Sequence, residues 1–289
     1  MMQKAAAVQP ELSEKDEELT GIERPGSGSG EAVPAATTPP VNRFWEVDSW
    51  RGVAIITMVI FHLMFDLRNF GGVPVVLHEG FWFYFQRFTA TSFITLAGVS
   101  VVLSYNRALL LRGSADGLAW KTARRGLHIL GIGLILSLVM RVAVLPPIDF
   151  GVLHLIGTSI ICSIPLLNKR WLTLTVAAVL YALSYLLQYM NVQAPAGVSW
   201  LVPLGIEPPG YYYSDYFPFP HWFAIFLIGV FVGTVFYEGG ARKLPLPNLG
   251  GIFPFPVLQF LGRHSLVIYV IHQPILIGLL LLTGTITLG

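Results

Sequence analysis

The sequence predicts an all-α integral membrane protein with about seven transmembrane helices, N-terminus cytoplasmic and C-terminus outside. Three observations carry this. First, 54% of the 289 residues are hydrophobic and only 12% charged, with a mean hydropathy of +0.65, whereas an ordinary globular domain carries about a quarter charged residues. Second, the apolar residues fall in long runs. Third, Lys and Arg collect between alternate runs. A soluble domain of this size cannot hide so much apolar surface, which excludes a soluble enzyme, a nucleic-acid binder and a disordered chain. The single cysteine, Cys162, excludes internal disulfides, iron–sulfur clusters and thiolate zinc sites.

Residues 1–42 read as a disordered cytoplasmic tail, rich in Ala, Glu, Pro, Ser and Gly, with a GSGSG run at Gly26–Gly30 and no apolar core of the signal-peptide kind. Residues 43–289 read as one transmembrane domain. Seven apolar runs, Trp50–Leu67, Phe81–Leu103, Gly126–Leu145, Phe150–Leu167, Trp171–Tyr189, His221–Tyr237 and His264–Leu282, match the roughly 17–25 residues a bilayer crossing needs. Lipid offers no hydrogen-bond partners, so each must be helical. The proline-broken stretch Ile252–Leu261 precedes the last run and is a candidate for dipping into the membrane.

Orientation follows from charge. Lys4, Lys15, Arg24, Arg43 and Arg51 precede the first run; Arg107, Arg112, Lys121, Arg124 and Arg125 separate the second and third; Lys169 and Arg170 separate the fourth and fifth; Arg242, Lys243 and Arg263 separate the sixth and seventh. Fifteen of the 18 basic residues thus lie on one side, which the positive-inside rule makes cytoplasmic. The opposite side holds the loop Met190–Pro220, which has no Lys or Arg, six prolines and a cluster of aromatic residues that includes Trp200, Tyr211, Tyr212, Tyr213 and Tyr216. It reads either as an aromatic belt at the interface or as a lid over an acceptor site, with Asp215 and His221 as its chemical groups.

Ionisable groups inside a span cost several kcal/mol unless paired or hydrated, which makes them functional candidates. Arg51 and His62 are eleven residues apart, which at 100° per residue returns to within about 20° of one face, the His roughly 16 Å deeper. Asp66 follows His62 by one turn. An Asp in that place can hold one imidazole nitrogen and raise the basicity of the other, which suits general-base work on a hydroxyl or amine; the alternative is polar glue between helices. Arg87 lies within the second run, to pair with Asp66 or Glu79 or to bind substrate. His272 and Gln273, followed by Pro274, lie near the middle of the last run and favour a lined cavity over lipid. His128 and His154 lie near span ends, where interfacial or interhelical hydrogen bonding is expected. Arg124 and Arg125 set topology and could meet a phosphorylated cytoplasmic ligand. No phosphate-cradling glycine loop is present, which argues against a nucleotide triphosphatase.

The segment Arg43-Phe-Trp-Glu-Val-Asp48-Ser-Trp-Arg51-Gly52 with Met58 and His62 resembles the opening of bacterial proteins of the heparan-alpha-glucosaminide N-acetyltransferase family. Phe93–Ser100, Phe150–Gly157, Asp215–Trp222 and Gly262–Pro274 fit the same pattern in order, so the resemblance extends over about residues 43–282. The Arg51–His62 spacing is also similar to the acyltransferase-three group of transmembrane acyltransferases, in which that Arg and His are needed for activity. The resemblance implies a cytoplasmic acetyl-CoA donor and transfer of acetyl to a sugar amine or hydroxyl on the far side of the membrane; no metal is expected. In the lysosomal branch the working His lies in the turn after the first span, which here is His78.

On this reading His62 is the general base or acyl carrier, with His78 as the second candidate. Asp66 orients the His, and His272 and Gln273 line the transfer path. Arg51, Arg87 and Asp215 bind or position substrate, while Arg124 and Arg125 meet CoA phosphates. The alternatives are a transporter or flippase for a glycan or lipid, against which no internal repeat is evident, and a metal site built from His62, Asp66 and His272. The expected setting is a bacterial plasma (inner) membrane with lipid as solvent; no nucleic-acid partner is expected, and the copy number of a homo-oligomer is left open.

Overall fold

The computed structural model describes residues 43–142, 148–210 and 215–286; the tail expected over 1–42, and Tyr211–Tyr213, lie outside them. Eight α-helices occur among the described residues: α1 (Trp45–Gly71), α2 (Gly80–Arg112), α3 (Leu118–Val142), α4 (Val152–Ser163), α5 (Arg170–Tyr189), α6 (Phe219–Phe236), α7 (Phe255–Arg263) and α8 (Ser265–Leu282). Six of them, α1, α2, α3, α5, α6 and α8, are long and apolar enough to cross a membrane.

Local chemistry sets the ends. Glu46 and Asp48 occupy the first turn of α1, where carboxylates complement the helix dipole. At its other end Gly72 takes φ 67°, a left-handed conformation that glycine adopts without a Cβ clash and that stops the helix. Gly113 closes α2 the same way at φ 69°.

The fourth expected span differs from the rest. It forms the 12-residue α4 continued by a short 3₁₀ turn, Ile164–Leu166, around Pro165. Those helical residues rise about 22 Å, short of the roughly 30 Å hydrocarbon layer. The reason is its position: nine of the 12 residues of α4 are buried, so its walls are mostly other helices and its length need not match the lipid. Val152, Leu155, Ile156 and Ile160 of α4 form the core with Ile94, Val101 and Val102 of α2 and with Phe226 and Val230 of α6. Around it α3 lies on α4, α5 on α6, and α1 on α2 and α7. The stretch before the last span is a separate short helix, α7, that begins at prolines and leaves Phe253, Val257 and Phe260 exposed.

Three helix crossings are made by facing glycines. On α1 and α7, a Cβ on Gly52 would strike the Leu258 carbonyl and one on Gly262 the Asp48 carbonyl. On α2 and α6, a Cβ on Gly98 would strike the Phe226 carbonyl and one on Gly229 the Thr95 carbonyl. On α3 and α4, a Cβ on either Gly126 or Gly157 would lie 2.8 Å from the other's carbonyl oxygen. Lipid supplies no hydrophobic drive for helices to associate, so backbone approach through small residues does much of that work.

Candidate active site

Four of the expected site residues meet between α1 and α8. The Gln273 side-chain amide donates to Asp66 Oδ1 at 2.7 Å, and the His62 and His272 rings meet edge to face with centroids 4.8 Å apart. Asp66 is fully buried and His272 is 8% exposed.

The geometry fixes the imidazole tautomers. His62 Nδ1 lies 2.9 Å from the Met58 carbonyl oxygen and His272 Nδ1 lies 2.7 Å from that of Tyr269. A carbonyl can only accept, so each ring carries its proton on Nδ1 and presents Nε2 as a base. Among the described residues, three buried acceptors in this cluster have no donor: Asp66 Oδ2, His272 Nε2 and Gln273 Oε1. Buried polar atoms are nearly always hydrogen-bonded, and three acceptors in one cluster suit a ligand that brings O–H or N–H donors. Among the described residues, His62, Asp66 and His272 do not form a group able to hold a metal ion.

The expected pairing of Asp66 with His62 is replaced by another. Both share a face of α1, but the Met58 carbonyl already takes the Nδ1 proton of His62. Asp66 therefore draws its donor from α8, through Gln273.

Arg51 works at a different level of the bundle. It donates to Asp48 Oδ1 at 2.9 Å, to Ser100 Oγ at 2.6 Å and to the Gly262 carbonyl at 3.4 Å, tying α1 to α2 and α7 beside the Gly52–Gly262 crossing. Arg43 and Arg125 lie close enough for their charges to act on it, while its own carboxylate partner is Asp48. Arg125 also lines a small cavity of about 60 Å³ with Lys121, Ser104 and Thr122. Both Arg125 and its neighbour Arg124 on α3 are exposed.

Asp215 caps a helix. Its Oδ2 accepts from the Val152 backbone N–H at 3.2 Å, at the dipole-positive start of α4, and from the Tyr269 hydroxyl at 3.4 Å. Removal from water pushes its carboxyl up to about 6, the two hydrogen bonds pulling the other way. Tyr269 lies on α8 one turn before His272, so Asp215 joins the loop before α6 to the helix that carries the cluster. The loop itself is docked there: Phe217 N–H donates to the Phe150 carbonyl at 3.0 Å and the Tyr216 hydroxyl to the Val202 carbonyl at 2.6 Å.

Arg87 pairs with neither Asp66 nor Glu79; its guanidinium lies over the rings of Phe83 and Trp222. His78 is exposed in the connection between α1 and α2, with no recorded bond or ring contact to the cluster. His154 meets Ser137 across α3 and α4 at 3.4 Å, as a polar contact between helices. Sequence reasoning assigned no role to Tyr269, Ser100 or the Met58 carbonyl. All three lie within the segments that carried the resemblance, which was the available signal.

The sequence model of the family described as heparan-alpha-glucosaminide N-acetyltransferase, catalytic, matches residues 43–274. That is most of the chain and contains the whole α1–α8 cluster, and the chain belongs to this family. No curated protein and no solved structure matches it.

Proposed function

We propose that this chain is a membrane-embedded acyltransferase that takes acetyl from acetyl-CoA on the cytoplasmic side and passes it to a sugar amine or hydroxyl on the other side. The single observation that carries this reading is the set of three donorless buried acceptors beside His62. Family membership supplies the reaction class. The basic residues on one side of the bundle support the sidedness, with residues 1–42 as a cytoplasmic tail, residues 43–289 as the catalytic membrane domain, and a bacterial plasma membrane as the setting.

The residues fit the donor's charge. Arg43, Arg51 and Arg125 gather positive charge at one place, and Arg125 with Lys121 lines a cavity where a phosphate can be met. Acetyl-CoA brings a thioester carbonyl and a thiolate leaving group. His62 Nε2 accepts the proton of the acceptor amine or hydroxyl as its heteroatom bonds to the acetyl carbon. The carbon–sulfur bond breaks, and His62 returns the proton to the departing sulfur. Asp66 Oδ2, Gln273 Oε1 and His272 Nε2 accept from the acceptor's remaining O–H and N–H groups and set which heteroatom faces His62. Gln273 keeps Asp66 in place for that contact.

The test uses purified full chain in sealed vesicles of known insertion direction. Labelled acetyl-CoA is supplied on the side of Arg125 and a glucosamine-terminated oligosaccharide on the side of the loop Met190–Pro220. Label on the trapped oligosaccharide is the expected result. Label absent, with the oligosaccharide itself moved across, would overturn the reading.

A further inference from the structure

Arg87 presents a problem that the transfer reaction does not solve. It stands seven residues beyond Gly80, about 10 Å along α2 from that helix's start, and is exposed at the bundle surface. Two rings hold its guanidinium: Phe83 on its own helix at 5.3 Å and Trp222 on α6 at 5.7 Å. These contacts use the π-face of the group and leave its five N–H donors unspent. Among the described residues neither a carboxylate nor a carbonyl is recorded on it.

The neighbouring polar group is an imidazole. His221, at the start of α6, packs on Tyr181 of α5 with centroids 5.1 Å apart and has Nδ1 3.4 Å from Ser184 Oγ. Among the described residues its other nitrogen has no hydrogen-bond partner, and the Arg87 charge is close enough to act on it. A guanidinium without an acceptor is costly in hydrocarbon, yet the surrounding surface is made for lipid: Tyr84 is 71% exposed and Phe88 44% exposed on α2, and Tyr185 67% exposed on α5. A depth of about 10 Å is within reach of the headgroup layer for a long cationic side chain. Aromatic rings gather at that same layer.

We propose that Arg87 and His221, bracketed by Phe83 and Trp222 in the groove between α2, α5 and α6, form a binding site for the phosphate of an anionic membrane phospholipid. The guanidinium edge and the free imidazole nitrogen meet the phosphate oxygens, and the exposed rings beside them meet the glycerol and upper acyl chain. Arg141, at the same end of the bundle, differs in having a counter-charge, Asp149 at 2.7 Å. It therefore serves as the control cation. The site shares no residue with the α1–α8 cluster and does not depend on the proposed reaction.

The experiment is native mass spectrometry of the full chain released from nanodiscs of phosphatidylglycerol and phosphatidylcholine in equal parts, at low and high salt. Wild type is expected to keep phosphatidylglycerol, with retention falling at high salt. Arg87→Gln should lose about fivefold of it, Arg87→Lys should lose less, and Arg141→Gln should match wild type. Equal retention by wild type and Arg87→Gln overturns the proposal. So does a loss in Arg141→Gln as large as that in Arg87→Gln. If Arg87→Gln does not fold, wild-type retention that ignores both salt and headgroup overturns it as well. Inorganic phosphate that displaces the lipid at millimolar concentration would assign the site to a soluble phosphate instead.

Discussion

Gln273 on α8 holds Asp66 on α1, its side-chain amide 2.7 Å from a carboxylate that is fully buried. The contact spans 207 positions of sequence and fixes the depth at which His62 and His272 face each other. Removing one partner of a buried charged hydrogen bond costs more than making it gains, because the other is left without water or donor. Gln273→Ala should therefore lower stability by about 1–3 kcal/mol and reduce kcat at least tenfold, read by thermal unfolding in detergent and by steady-state kinetics. Unchanged kcat would separate Gln273 from the reaction.

Glycine substitutions should divide sharply by place. Gly262→Ala and Gly229→Ala drive a Cβ into the backbone carbonyls of Asp48 and Thr95, and the helices must separate. Overpacking of this kind costs about 1–3 kcal/mol. Gly278→Ala, also helical but with nothing within 4 Å of the added carbon, should be neutral or slightly stabilising. Melting temperatures of the three variants check the contrast.

Asp215 should give stability a pH dependence. Its carboxyl is raised from 3.8 to about 6 by removal from water, so the folded chain binds a proton more tightly than the unfolded one. Stability from this group is fully present below about pH 3.8, falls as pH rises towards 6, and is constant above that. Asp215→Asn keeps an oxygen for the Val152 N–H and cannot titrate. The melting temperature of wild type should fall relative to that of the variant between pH 4 and pH 6, about the window these values define. Parallel profiles would contradict it.

Arg125→Gln should raise KM for acetyl-CoA about tenfold and leave kcat unchanged, since it removes a charge that meets phosphate and not the reacting carbon. Arg124→Gln should have the smaller effect. An equal loss in kcat would mean that Arg125 acts on the chemistry.

Much of the site was legible because a helix repeats at fixed angle. That period puts Arg51, His62 and Asp66 on one face of α1, and a polar pair, His272 and Gln273, in an otherwise aliphatic run marks α8 as facing something other than lipid. What the chain does not state locally is which partners those groups choose. His62 spends its Nδ1 proton on the Met58 carbonyl, and Asp66 turns to a residue on another helix. Hydropathy likewise counts apolar residues without saying what faces them, so a largely exposed helix such as α3 and the mostly buried α4 look alike until packed. Asp215 was read as an acceptor-binding group; its place at the start of α4 depends on a loop folding back onto Phe150.

The most direct measurement of the central claim compares transfer of labelled acetyl from acetyl-CoA to an amino-sugar acceptor in purified His62→Ala and His78→Ala. His62→Ala should lose at least about a hundredfold in kcat, in line with loss of a general base, and His78→Ala should stay near wild type. Full activity in His62→Ala, or loss confined to His78→Ala, would contradict the assignment of the reaction to the α1–α8 cluster.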